Sequence, residues 1–336
     1  MRRYGATILD AEGLVLSADE RAFFRDVNPF GFILFARNIE SAAQINRLCD
    51  QMRDAVGREA PITIDQEGGR VQRLAAPQWR AWLPPLEQAQ RAGTEAARSF
   101  YLRFRLIAHE LRQCGIDSNC APMLDIAFPE THDFLKNRCY GADIESISAL
   151  GRAAAEAMLD GGVLPVAKHI PGHGRAVADS HFELPSVDVS REELIASDGA
   201  PFVALNDMPM GMTAHIRYPQ IDEAPATLSK TVMELIRDDL GFDGLIMTDD
   251  ISMKALQGDL GDLSRAALAA GCDVILHCNG TLAERRAVAE AAGEMSETAQ
   301  ARAEKALSQR ITPSDVDISA LEAELEALLN GRVYAS

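Results

Sequence analysis

The residues best equipped for chemistry lie in one stretch, Lys168-His-Ile-Pro-Gly-His-Gly174, which runs on through Arg175 to Asp179-Ser-His181. An imidazole, with an ordinary pKa of ~6.5, can give and take a proton near neutrality. Asp179 stands two residues before His181, so its carboxylate could hold that ring in one tautomer and stabilise its charged form. A second acidic feature, Asp249-Asp250, closes the apolar run 244–248. A carboxylate on a stiff strand tip and a proton donor together are the pair that glycoside cleavage requires. Asp249 suits the nucleophile and His181 the donor, with Asp250 competing for the first role.

Other chemistries fit less well. The chain has no G-x-S-x-G elbow and no P-loop, which speaks against a serine hydrolase and a nucleotide-binding enzyme. His169 and His173, with Asp179, His181 or Asp249, offer a zinc alternative. Pro171 and Gly172 between the two histidines exclude the helix that would aim both rings at one point. A metal-dependent hydrolase remains the rival at this stage.

These groups need a scaffold. The run 162–167, rich in Val and flanked by glycine, reads as a buried parallel strand emptying into the Lys168 stretch. Similar runs occur at 6–9, 31–36, 61–65, 116–121, 210–214, 244–248 and 273–276. Helical patterns alternate with them. Ser41-Ala-Ala-Gln44 and Ser190-Arg-Glu-Glu193 are capping-box starts, Asp143 precedes apolar residues at helical spacing, and one helical region is expected over 88–114. Alternation of this kind implies a parallel sheet with helices outside it. Eight units favour an α/β fold of the closed (β/α)8 TIM-barrel type, a single domain over 1–336 with a C-terminal helical tail. An open doubly wound sheet competes, but no G-x-G-x-x-G follows the first strand. In a barrel the strand C-termini share one mouth, which would collect Arg37, Asp65, Asp125, Lys168, His169, His215, Asp249 and His277.

The 336 residues are 47% hydrophobic and 25% charged, a globular balance. A formal net charge of -17 argues against nucleic acid and anionic membranes as partners. The six cysteines show no C-x-x-C pair, so reduced thiols are expected. No signal peptide is visible, and no run reaches the ~18 apolar residues of a membrane helix.

Three motifs add a resemblance. Ile64-Asp-Gln-Glu-Gly-Gly-Arg-Val-Gln-Arg-Leu74, the Lys168–Gly174 stretch with Ala178-Asp-Ser-His181, and Met247-Thr-Asp-Asp-Ile-Ser-Met253 are similar to family 3 glycoside hydrolases. More narrowly they resemble the bacterial single-domain β-N-acetylglucosaminidases of peptidoglycan recycling. The resemblance implies a cytoplasmic, retaining β-N-acetylhexosaminidase with no cofactor and no metal. It implies a small-molecule sugar substrate, GlcNAc β-1,4-linked to 1,6-anhydro-N-acetylmuramic acid in a muropeptide, and a monomer is expected. Carried over by position, Asp249 is the nucleophile and His181 the acid/base, paired with Asp179. Asp65, Arg73, Arg138, Lys168 and His169 match sugar-binding positions. Around Arg138 the flanking Cys139-Tyr140 departs from the usual Ser-Phe, and Ile170 replaces the commoner Phe. A non-catalytic muropeptide sensor on the same barrel is the alternative from a different class, and intact Asp249 and His181 speak against it.

Overall fold

In the computed structural model, which describes residues 3–177 and 183–335, every one of the eight apolar runs contains a strand. They are β1 (Gly5–Asp10), β2 (Pro29–Leu34), β3 (Ile62–Ile64), β4 (Ser118–Asn119), β5 (Leu164–Ile170), β6 (Met210–Thr213), β7 (Leu245–Met247) and β8 (Ile275–His277). Each pairs in parallel with its chain neighbours, and β1 pairs with β8. A parallel bridge between Met247 and Val274 completes the ring between β7 and β8. The architecture is therefore the closed (β/α)8 barrel.

Burial on both faces explains the near-continuous apolar runs, since one face meets the barrel interior and the other the surrounding helices. β1, β2 and β5 are buried along their whole length. The helices start where side-chain oxygens can satisfy the first free N–H groups. Ser17 and Glu20 form a reciprocal capping box for Ala18–Val27. Asp143 caps Ile144–Asp160, and Ser190 caps Arg191–Ala196. At Ala42–Val56 the expected box is only half made. Ser41 accepts from the Gln44 N–H, but the Gln44 side chain turns instead to Glu40, Leu14 and Asn38.

Two expectations change in detail. The helical region over 88–114 is two helices, Pro85–Ala92 and Ala96–Gln113, parted at Gly93, whose φ is +55°. A left-handed residue cannot continue an α-helix, so the chain turns there. The second change is that β5 does not stop at its first charge. Lys168 and His169 lie inside the strand and are buried, which requires that the barrel neutralise them. Beyond β8 the helices Leu282–Ala292, Glu297–Ser308 and Ile318–Leu328 form the helical tail.

Candidate active site

The strand C-termini open into a cavity of about 510 Å³. Its lining includes Asp65, Arg73, Arg138, Lys168, His169 and Asp249, six of the eight residues singled out in the sequence. The other two, Asp179 and His181, lie outside the described residues.

The floor is built on buried charge. Lys168 reaches Asp65 Oδ1 at 3.1 Å and Glu67 Oε1 at 2.5 Å. Arg73 meets Asp65 Oδ2 at 2.9 Å. Arg138 donates to both oxygens of Glu67, at 3.0 and 2.9 Å, a fork-to-fork geometry. Three cations therefore share two carboxylates, which leaves the cluster with one excess positive charge (3 − 2). Burial pushes the Glu67 carboxyl up, but Arg138 and Lys168 overcome it and hold the group at about 2. Burial likewise opposes ionisation of Asp65, and Lys168 and Arg73 pull it well below the usual carboxylate range. Against its own burial, Lys168 is raised above its ordinary value by Glu67 and Asp65. All of these groups are thus ionised at neutral pH, and their remaining lone pairs and N–H groups can bond sugar hydroxyls.

Glu67 sits where the chain after β3 doubles back as a short hairpin, Gln66–Gly68 against Val71–Gln72. Gly68 has a φ of +105°, and a Cβ there would come within 1.8 Å of Arg103 Nη2. Only glycine lets the fully buried Arg103 reach the Glu67 carbonyl and the Leu83 carbonyl, the latter at 2.9 Å. The motif's first glycine is therefore a packing requirement.

His169 is held by Asp125. Its Nδ1 lies 2.7 Å from Asp125 Oδ2, while Asp125 Oδ1 accepts the His173 backbone N–H at 2.6 Å. A carboxylate accepts only, so Nδ1 carries the proton and Nε2 is left for other partners. His173 braces this corner, with its ring 5.6 Å from that of His169 and 5.8 Å from Phe134.

Asp249 follows β7 and is half-buried, and its Oδ1 accepts the Asp250 N–H at 2.8 Å. Asp250, the competitor for the nucleophile's role, lines the cavity as well. They differ in engagement, because Asp250 accepts from Ser252 N and Oγ, at 3.1 and 2.8 Å, and from the Cys278 thiol at 3.1 Å. Burial raises the Asp250 carboxyl, but His277, 3.7 Å away, Cys278 and Ser252 hold it below its ordinary value. Of the remaining rim candidates, Arg37 pairs with Asp10 and Asn279, and His215 and His277 are completely buried.

Comparison with known proteins bears on this geometry. Residues 10–312 match the family model described as the glycosyl hydrolase family 3 N terminal domain. The chain belongs to glycosyl hydrolase family 3. A β-hexosaminidase of Pseudomonas aeruginosa is 38% identical over 292 residues, covering 85% of this chain and 86% of that protein. One of Bordetella parapertussis is 35% identical over 291 residues, covering 82% and 80%. Native NagZ from Neisseria gonorrhoeae superposes with a TM-score of 0.85 at 27% identity, covering 99% of each chain. The same protein is known in complex with N-trifluoroacetyl-D-glucosamine. Membership of the family, with relatives so named, supports a glycosidase hydrolysing β-N-acetylhexosaminides.

Glu67 was not singled out by sequence reasoning, and Asp125 was placed at the mouth without a role. The signal for Glu67 is its place two residues after Asp65 in a glycine-bounded loop, where a buried acid implies buried cations. For Asp125 the signal is a strand-end acid facing a strand-end histidine.

Proposed function

We propose that this family 3 barrel is a retaining β-N-acetylglucosaminidase of peptidoglycan recycling. It releases non-reducing terminal GlcNAc from β-1,4-linked GlcNAc–1,6-anhydro-N-acetylmuramic acid muropeptides in the cytoplasm. The observation that carries this reading is the position of the Asp249 carboxylate on the wall of a cavity floored by Asp65, Arg73, Arg138, Lys168 and His169. A sugar ring hydrogen-bonded to that floor has its hydroxyls met by charged partners, which discriminate strongly against analogues lacking them. The amino sugar bound to the neighbouring NagZ supports the same occupant.

In the first step an Asp249 oxygen bonds to C1 as the exocyclic C–O bond breaks. His181, as imidazolium, gives its proton to the leaving oxygen, and Asp179 steadies the ring. In the second step water attacks C1, the neutral imidazole takes its proton, and the Asp249–C1 bond breaks to return the carboxylate. Two displacements restore the β configuration.

The decisive experiment follows the first-formed product from GlcNAc–anhydromuramic acid by NMR. β-GlcNAc is expected from the wild type, and none from Asp249→Ala with an unchanged circular dichroism spectrum. An initial α-anomer, or full turnover by the variant, overturns the reading.

A further inference from the structure

The cations on the cavity floor are each matched to an acid: Lys168 to Asp65 and Glu67, Arg73 to Asp65, and Arg138 to Glu67. Arg70 is different. It lines the same cavity and is exposed, and no carboxylate among the described residues pairs with its guanidinium. Its guanidinium carbon lies 5.6 Å from the centroid of the Phe134 ring, a cation–π contact. The stretch that carries it is anchored. The Gly69 N–H donates to the Trp82 carbonyl at 2.9 Å, and Gly68 is packed against Arg103. A stacked guanidinium on an anchored hairpin loses little freedom on meeting a ligand.

In a chain of net charge -17, a cation at the mouth of the cavity with no acid partner among the described residues stands out against its surroundings. GlcNAc itself is neutral. If its ring lies on the floor with C1 at Asp249, the part of the substrate that reaches the exposed edge is the leaving group. We propose that Arg70 is a specificity-determining residue that reads a carboxylate on the leaving-group side of the scissile bond. The inference rests on the glycosidase reading of the cavity.

The test compares two aryl β-GlcNAc substrates, one with a carboxylate on the aryl ring and one with a carboxamide at the same position. The kcat/KM ratio of the pair is measured for wild type, Arg70→Gln and Arg70→Lys, so that intrinsic leaving-group reactivity cancels between enzymes. The wild-type ratio should exceed that of Arg70→Gln by roughly threefold to fivefold, the scale of an exposed ion pair. Arg70→Lys should recover part of the difference, and about 0.5 M salt should erase it. A ratio that Arg70→Gln leaves unchanged while both substrates turn over defeats the Arg70 assignment alone. No wild-type turnover of either substrate defeats the glycosidase reading beneath it.

Discussion

The Nε2 of His215 lies 3.0 Å from the backbone carbonyl oxygen of Asp250, the residue directly after Asp249. A carbonyl only accepts, so Nε2 carries the proton and Nδ1 accepts from the Thr227 hydroxyl, 2.7 Å away. Burial pushes the His215 pKa below its ordinary value, so the ring is neutral at physiological pH. A fully buried neutral imidazole thus fixes the backbone next to the proposed nucleophile. His215→Phe removes one of the two donors to this carbonyl, the Met253 N–H at 3.0 Å being the other, which should cost about 0.5–1.5 kcal/mol. It should lower kcat more than it raises KM, because Asp249 loses its aim rather than its charge. Urea unfolding and steady-state kinetics on aryl β-GlcNAc check both, and wild-type stability in His215→Phe would contradict the argument.

The neighbouring aspartates should separate cleanly by mutation. Asp250 accepts from Ser252 and Cys278, whereas among the described residues Asp249 accepts only the Asp250 N–H. Asp250→Asn should therefore unfold about 1–2 kcal/mol more easily while retaining measurable turnover. Asp249→Asn should keep wild-type stability and lose turnover by at least roughly a thousandfold. The reverse pattern would exchange the roles of the two residues.

Glu67 is the shared acceptor for Arg138 and Lys168 and is completely buried. Glu67→Gln leaves two buried cations with one fewer compensating charge, and breaking such a site costs about 3–5 kcal/mol. Both cations line the cavity, so KM should also rise, by about tenfold or more, from loosened donors to the sugar. Thermal unfolding and KM on the same preparation test this together. A stable variant with an unchanged KM would show that Glu67 organises neither group.

The strands were visible in the sequence because parallel strands buried on both faces are apolar almost throughout, and β1, β2 and β5 are of this kind. The charged strand ends likewise pointed to Asp65, Lys168, His169 and Asp249 as one group. What the sequence hid is the pairing that lets those charges be buried. Arg138 is 71 positions from Glu67, and His169 is 44 from Asp125, so no local pattern links them. The same long-range neutralisation explains why β5 continues through Lys168 and His169, where charge suggested its end. The division of labour between Asp249 and Asp250 was equally hidden, since it depends on Cys278, which arrives from the end of β8.

His173 gives a pH dependence of known sign. Burial, helped by the neighbouring His169, lowers its pKa to about 4, against ~6.5 for an unperturbed histidine. A depressed folded-state value means that the unfolded chain binds the proton more readily. The resulting stability is fully present above about 6.5 and is lost as pH falls toward about 4, by about 3 kcal/mol in all. His173→Asn should therefore flatten the fall in unfolding free energy between pH 7 and pH 4.5 relative to wild type. Glu67 is held at about 2 and Asp65 well below the usual carboxylate range, so they contribute to acid unfolding mainly below their unfolded values near 4. Identical slopes for wild type and variant over this window would rule the His173 account out.

The C-terminal tail is tied to the same floor through the loop that follows the hairpin. Glu322, on helix Ile318–Leu328, accepts two bonds from Arg80, at 2.8 and 2.7 Å, and one from the Tyr334 hydroxyl. The Ala335 N–H donates to the Ala81 carbonyl at 2.7 Å, and the Tyr334 ring packs edge-on against Trp82 at 5.6 Å. On its other side this segment holds the hairpin. The Trp82 N–H reaches Gln72 Oε1 at 3.1 Å, and the Trp82 carbonyl receives the Gly69 N–H at 2.9 Å. Two steps of direct bonding thus connect Tyr334 to the hairpin that follows Asp65 and contains Glu67. Glu322→Ala should weaken the fold by only about 1 kcal/mol, because the pair is partly exposed. Its effect on KM should be larger than on kcat, roughly threefold or more, since the hairpin orients the groups proposed to bind the sugar rather than the proposed nucleophile. Tyr334→Phe, which removes the bond to Glu322 and the one accepted from Arg80 Nε at 3.1 Å but keeps the ring contact and both Arg80–Glu322 bonds, should fall between Glu322→Ala and wild type. Kinetics on an aryl β-GlcNAc alongside thermal unfolding decide the matter. A loss of stability with KM untouched would leave the tail a purely structural clasp.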